Sequence, residues 1–136
     1  MTDRRAAEHR ALVILVVENH QDTRLAVVEL LSQLGHAVTG VSTLNEALVR
    51  APAIGPDVVI SDIGLPDGSG WELPQRLTLP YRPFAIAMSG FGMREDRERS
   101  RAAGYRHHLV KPMDLEALEA LLIEAERERV EHGTAR

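Results

Sequence analysis

The sequence predicts an α/β protein built on a parallel five-stranded sheet with five helices, and three observations predict it. Short apolar runs alternate along the chain with longer segments of helical periodicity, the pattern of strands joined by right-handed crossover helices. The first run, Leu12 to Val17, is apolar without alternation, as a strand covered on both faces must be. Polar, reactive side chains stand where these runs end, at Glu18-Asn19, Asp62, Ser89 and Lys111.

Each element has a local cause. Residues 1–10 are polar and charged, and are expected to form a flexible N-terminal segment. Leu12 to Val17 is the first strand. The first helix runs from Asp22 to Leu34, with Leu25, Val28, Leu31 and Leu34 as its buried stripe and Gly35 as its stop. Ala37 to Val41 is the second strand. Thr43 to Arg50 is a short helix, and Ala51-Pro52 and Gly55-Pro56 break the chain before the third strand. Ser69 and Glu72 fit a capping box for the helix after Asp62. Pro74 would delete one of its backbone hydrogen bonds, so that helix starts late or has a distorted first turn. Phe84 to Met88 is the fourth strand. Arg94 to Ala103 is a charged helix with few apolar anchors, closed by Gly104, and Arg106 to Val110 is the fifth strand. Asp114 caps the last helix, whose stripe is Leu115, Leu118, Leu121, Leu122 and Ala125. One domain thus spans 11–126, with a C-terminal tail over 127–136.

Composition narrows the function classes. An apolar share of 44% against 26% charged residues reads as a soluble globular domain, and 136 residues suffice for one core. A net charge of −4 argues against direct nucleic-acid binding, which calls for a basic face. The lack of cysteine removes disulfides, thiolate catalysis and Cys-ligated metals. No apolar stretch is long enough for a membrane span, and the first ten residues are too charged for a signal sequence. A cytoplasmic location with no membrane partner is expected.

Asp62 follows Val58-Val59-Ile60-Ser61 and precedes Gly64-Leu65-Pro66-Asp67-Gly68-Ser69-Gly70. An acid so placed sits at a sheet rim, exposed enough to react, beside backbone that can approach a ligand. Taken singly, the rim residues have plainer readings: Asp62 as a turn or cap, Ser89 as a loop residue, Lys111 as a solvated lysine. Together, a carboxylate, an acid–amide pair, a hydroxyl and a lysine are the equipment for handling a phosphoryl group with a divalent metal.

The segments ILVVENHQDTR, DVVISDIGLPDGSGWEL, AMSGFG and HHLVKPMD resemble the receiver domain of two-component response regulators, and most closely receivers fused to or paired with hybrid histidine kinases. The resemblance covers about Ala11 to Glu126. It implies a flavodoxin-like, doubly wound sheet of order 2-1-3-4-5. Glu18, Asn19, Asp62, Ser89 and Lys111 would then line one crevice. It further implies that Asp62 accepts a phosphoryl group from phosphohistidine on a histidine kinase or a histidine phosphotransfer protein. Mg2+ would be held by Asp62, Asn19 and the Gly64 carbonyl, with Glu18 acting through water. Lys111, turned inward by a cis bond to Pro112, would pair with the phosphoryl group. Ser89 would donate its hydroxyl to it. Ser89 and His108 would form the switch that signals to a downstream protein through the fourth helix, fifth strand and fifth helix.

The chain departs from the family pattern twice. Where an acidic pair is usual it has Glu18-Asn19, which is expected to weaken Mg2+ binding. At the switch position, usually Tyr or Phe, it has His108, a titratable ring of similar volume. His107 and His108 point to opposite sheet faces and form no metal pair. His20 reads as a loop residue, Arg97, Arg99 and Arg101 as a solvated helix face, and Trp71 as packing. Phe91 reads as packing that could also shield the acyl phosphate.

Three rivals remain at this level. A degenerate receiver would act as a phosphorylation-independent protein-interaction module. A haloacid-dehalogenase-type phosphatase would need a second acid two residues beyond its nucleophile, where this chain has Gly64. A flavin-binding protein would need a Ser/Thr-rich phosphate loop after the first strand, which is missing.

Overall fold

The computed structural model describes residues 11–90 and 94–131. The strands are β1 (Val13–Val17), β2 (Ala37–Val41), β3 (Val58–Asp62), β4 (Phe84–Ser89) and β5 (His107–Val110). They form one parallel sheet in the order β2-β1-β3-β4-β5, as expected. The helices are α1 (Gln21–Gln33), α2 (Leu44–Ile54), α3 (Leu73–Arg76), α4 (Arg94–Ala103) and α5 (Leu115–Glu131).

Side-chain alternation along the buried strands sorts the core into two layers. Ile14, Val16, Val58, Ile60, Phe84, Ile86 and Met88 face α1 and α5, meeting Val27, Leu31, Leu118, Leu122 and Ala125. Leu15, Val17 and Val59 face the other way, against Leu44, Ala47 and Ala51 of α2 and Leu73 of α3. On that same side β4 presents Ala85 and Ala87, grouped with Ile63, Ala103, Tyr105 and Trp71. Small side chains under α4 leave it lightly anchored.

Two residues assigned to buried stripes are instead exposed, Leu25 at 54% and Leu115 at 37%. For Leu25 the reason is angular. Steps of three residues fall about 60° short of a full turn, so Leu25 and Leu34, nine positions apart, lie on opposite sides of the helix. The buried stripe of α1 is Val27 and Leu31, with Val28 and Leu34 packed beside it. Pro52 does not end α2 either. The helix continues to Ile54 and stops at Gly55, whose φ of 63° is left-handed. Ala51, fully buried, holds that last turn on the core.

The capping box at Ser69 and Glu72 is present, and it opens a 3-10 turn, Gly70–Glu72, ahead of α3. Pro74 lies in the first turn of α3, where its missing N–H costs nothing. Helix α5 continues to Glu131, past the expected start of the tail. Arg129 fastens that end, donating to the Ala11 carbonyl at 2.9 Å and to Oδ2 of Asp57 at 3.0 Å. The N-terminal segment 1–10, Phe91 and the final residues 132–136 lie outside the described residues. Among the described residues, no helix is long and apolar enough to cross a membrane.

Candidate functional site

Strand register brings the four rim positions together. Val17 pairs with Ser61, Asp62 with Met88, and Ser89 with Val110. Glu18, Asp62, Ser89 and Lys111 therefore emerge side by side at the C-terminal edge of four adjacent strands, where open parallel sheets bind ligands. The Lys111–Pro112 bond is cis.

Lys111 bridges two carboxylates. Its ammonium lies 2.6 Å from Oε1 of Glu18 and 2.7 Å from Oδ2 of Asp62. Burial alone would lower the lysine pKa, but hydrogen bonds to Asp62 and Glu18, and their charges, outweigh it and hold the pKa above the usual lysine value. Glu18 is 1% exposed, so Lys111 is the counter-ion of a buried acid as well as a neighbour of Asp62. The second Glu18 oxygen accepts from the His20 N–H at 2.9 Å.

The loop after Asp62 is built to hold that carboxylate. The Gly64 N–H donates to Oδ1 of Asp62 at 3.0 Å. Gly64–Leu65 and Gly68–Ser69 pair as a small antiparallel ribbon, and Gly70 returns to donate to the Ile63 carbonyl at 2.7 Å. A Cβ at Gly70 would overlap the carbonyl oxygen of Asp62, so only glycine admits this close return. Tyr105, buried and with its hydroxyl pKa pushed up chiefly by burial, donates to the Gly70 carbonyl at 2.6 Å. Asp67 anchors the loop to α2, accepting from the Leu44 and Asn45 N–H groups at 2.8 Å each. Those bonds hold its carboxyl below the usual range.

The residues expected to hold a cation, Glu18, Asn19, Asp62 and Gly64, offer oxygen donors only. That suits a hard cation such as Mg2+, which takes one or two carboxylates and keeps several waters. Among the described residues no group of three or more His, Asp or Glu side chains forms an all-protein cage. Asn19, next to Glu18 in the chain, is exposed. The Arg24 guanidinium donates to the carbonyls of Glu18 and Asn19 at 2.9 and 3.3 Å.

On the β4–β5 side, Oγ of Ser89 lies 2.9 Å from Nε2 of His108, and the opposite ring nitrogen, Nδ1, lies 2.8 Å from Oγ of Ser100. Ser100 also accepts from the Trp71 indole N–H at 2.8 Å. The Arg99 guanidinium stacks 4.0 Å from the centre of the Trp71 ring, so Arg99 is not merely a solvated helix residue. His107 turns to the other face and meets Glu124 at 3.1 Å. His20 is the N-cap of α1, its Nδ1 accepting from the Thr23 N–H, where a plain loop residue was expected.

Sequence reasoning missed Ser100, Tyr105 and the Asp57–Arg129 pair. Ser100 sits inside a charged helix and Tyr105 in a turn, and nothing local marks either. Only the pairing of β4 with β5 brings them to the site. A family model described as the response regulator receiver domain matches residues 14–123. The chain is 33% identical over 138 residues to the sensor histidine kinase RcsC of Salmonella typhi, covering 94% of this chain and 14% of that one. It is 34% identical over 110 residues to the two-component response regulator PhoP of Pseudomonas aeruginosa, covering 80% of this chain and 49% of the relative. It thus spans half or less of the length of these two relatives. A CheY-like receiver structure from Methylobacillus flagellatus superposes with a TM-score of 0.77 at 29% identity, covering 85% of this chain and 99% of that one.

Proposed function

The chain belongs to the response regulator receiver domain family, a family of signalling modules rather than metabolic enzymes, and from that membership we propose that Asp62 accepts a phosphoryl group from a phosphohistidine protein. The observation that carries this reading is the Asp62 carboxylate at the rim, in contact with Lys111 at 2.7 Å. In the step, the phosphorus–nitrogen bond of phosphohistidine breaks and a phosphorus–oxygen bond to Asp62 forms. The imidazole leaves with the bonding electron pair.

Asp62 is held by Lys111 at one oxygen and by Gly64 at the other, so its orientation is set before the donor arrives. Lys111 supplies positive charge for the incoming phosphoryl oxygens. Ser89, 4% exposed at the end of β4, supplies a hydroxyl to the same group. Mg2+, held by Asp62, Asn19 and the Gly64 carbonyl, with Glu18 acting through water, would offset the charge repulsion between carboxylate and phosphoryl group.

The phosphodonor, a histidine kinase or a histidine phosphotransfer protein, would dock beside Lys111. There α1 and α5 enclose an apolar groove of about 600 Å3 that reaches Ala26, Leu30, Met113 and Leu115 and ends at Lys111-Pro112. This location also accounts for the exposure of Leu115. Engagement of Ser89 by the phosphoryl group would carry the signal through His108 to α4, β5 and α5, and from there to a downstream protein in the cytoplasm. The degenerate-receiver alternative is the weaker one, because Asp62, Ser89 and Lys111 are all present and Lys111 contacts Asp62 directly.

Incubation with a small-molecule phosphodonor and magnesium, followed by intact mass and peptide mapping, tests the reading. Labelling is expected at Asp62 and absent in Asp62→Asn. Undiminished labelling of that variant would overturn it.

A further inference from the structure

We propose that Ser100 is a positioning residue for Ser89, acting through His108 by selecting which ring nitrogen carries the proton. The inference deepens the phosphoacceptor reading and rests on it for its functional consequence.

The direction of each hydrogen bond follows from the inventory of donors. The Trp71 indole nitrogen can only donate, so Oγ of Ser100 is the acceptor in that 2.8 Å contact. Ser100 is 1% exposed, which denies its own hydroxyl hydrogen a water partner. Nδ1 of His108, 2.8 Å away, is the acceptor within reach. A buried hydroxyl hydrogen without an acceptor is costly, so Nδ1 is the bare nitrogen and the neutral ring carries its proton on Nε2. That N–H then donates across 2.9 Å to Oγ of Ser89. The chain runs in one direction, from Trp71 through Ser100 and His108 to Ser89.

Direction matters because Ser89 has a single hydrogen. As acceptor from His108, Ser89 keeps that hydrogen uncommitted to the ring, and it can donate to a phosphoryl oxygen while still held by His108. With the opposite tautomer, Nε2 would claim the hydrogen, and Ser89 would have to break that bond before donating. Ser100 therefore sets Ser89 as a donor to the phosphoryl site, and ties α4 to it through one ring. The indole at the far end makes Trp71 an internal reporter.

The test is nitrogen NMR of the His108 ring in unphosphorylated protein, with the signal assigned by its loss in His108→Gln. Wild type and Ser100→Thr are expected to show protonated Nε2 and bare Nδ1, and Ser100→Ala a shift toward protonated Nδ1. The magnesium-dependent affinity for beryllofluoride should fall about two- to tenfold in Ser100→Ala, the weight of one hydrogen bond, and recover in Ser100→Thr. A bare Nε2 in wild type, or one tautomer common to wild type and Ser100→Ala, would overturn the proposal. Should Ser100→Ala fail to fold, Ser100→Cys, a weaker donor of similar size, takes its place with the same expectation. The tautomer is read without phosphodonor. A wild type with protonated Nε2 that binds no beryllofluoride would therefore sink the phosphoacceptor reading while the positioning role stands.

Discussion

The Lys111 ammonium and the Asp62 carboxylate lie 2.7 Å apart although they are 49 positions apart in the chain. The same ammonium neutralises Glu18, whose side chain keeps only 2% of its exposure. Lys111 thus has a structural task that is independent of any phosphoryl group, and the two tasks separate experimentally.

Lys111→Met leaves Glu18 buried without its counter-ion. Removing one partner of a buried pair costs about 3–5 kcal/mol, and the lower end applies here because Lys111 keeps 28% of its side-chain exposure. Glu18→Gln combined with Lys111→Met should recover more than half of that loss, since the stranded charge is gone. Urea denaturation of Lys111→Met, Glu18→Gln and the double variant measures it. Additive losses in the double variant would show that the two residues do not act as a pair.

Asn19→Asp is expected to tighten magnesium binding about ten- to a hundredfold, on the order of 1–3 kcal/mol, and to speed phosphorylation. The gross attraction of a carboxylate for the cation is far larger, but desolvation of both ions cancels most of it. Titration followed by Trp71 fluorescence gives the affinity. Equal values in the two proteins would remove Asn19 from the proposed metal ligands.

Gly70→Ala forces a methyl group onto the Asp62 carbonyl, a clash with backbone that no side-chain rotation relieves. Overpacking of this kind costs about 1–3 kcal/mol, and here the displaced residue is the proposed phosphoacceptor. Thermal denaturation should show the loss and phosphodonor labelling a slower rate. Gly64→Ala, with nothing within 4 Å of its Cβ, is the control and should keep wild-type stability.

Acid should loosen the loop through Asp67. Backbone hydrogen bonds from Asn45 and Leu44 hold its folded pKa below the ordinary value of 3.8. A group depressed on folding stabilises the fold above its unfolded pKa, and that contribution is lost as pH falls through the folded value. Melting temperature should therefore fall less steeply below pH about 4 in Asp67→Asn than in wild type. At neutral pH the variant should be the less stable of the two. Parallel curves at all pH values would sink this account.

Much of the architecture was legible in local sequence. Continuous apolar runs marked the central strands because both of their faces are covered, and Gly35 and Gly104 marked helix ends because their φ values of 96° and 113° exclude most side chains. The rim residues Glu18, Asp62, Ser89 and Lys111 were legible for the same reason: a polar side chain directly after an apolar strand has little choice but the sheet edge. Helix faces were read less well. Leu25 and Leu115 are apolar yet exposed, since hydrophobicity alone does not say which side of a helix meets the sheet. Contacts between distant segments were beyond sequence reasoning altogether. That Lys111 closes on Glu18, that Asp67 caps α2, and that Ser100 reaches His108 all depend on strand order and register. Hydrogen-bond direction follows from who is within 3 Å of whom, and only the folded chain decides that.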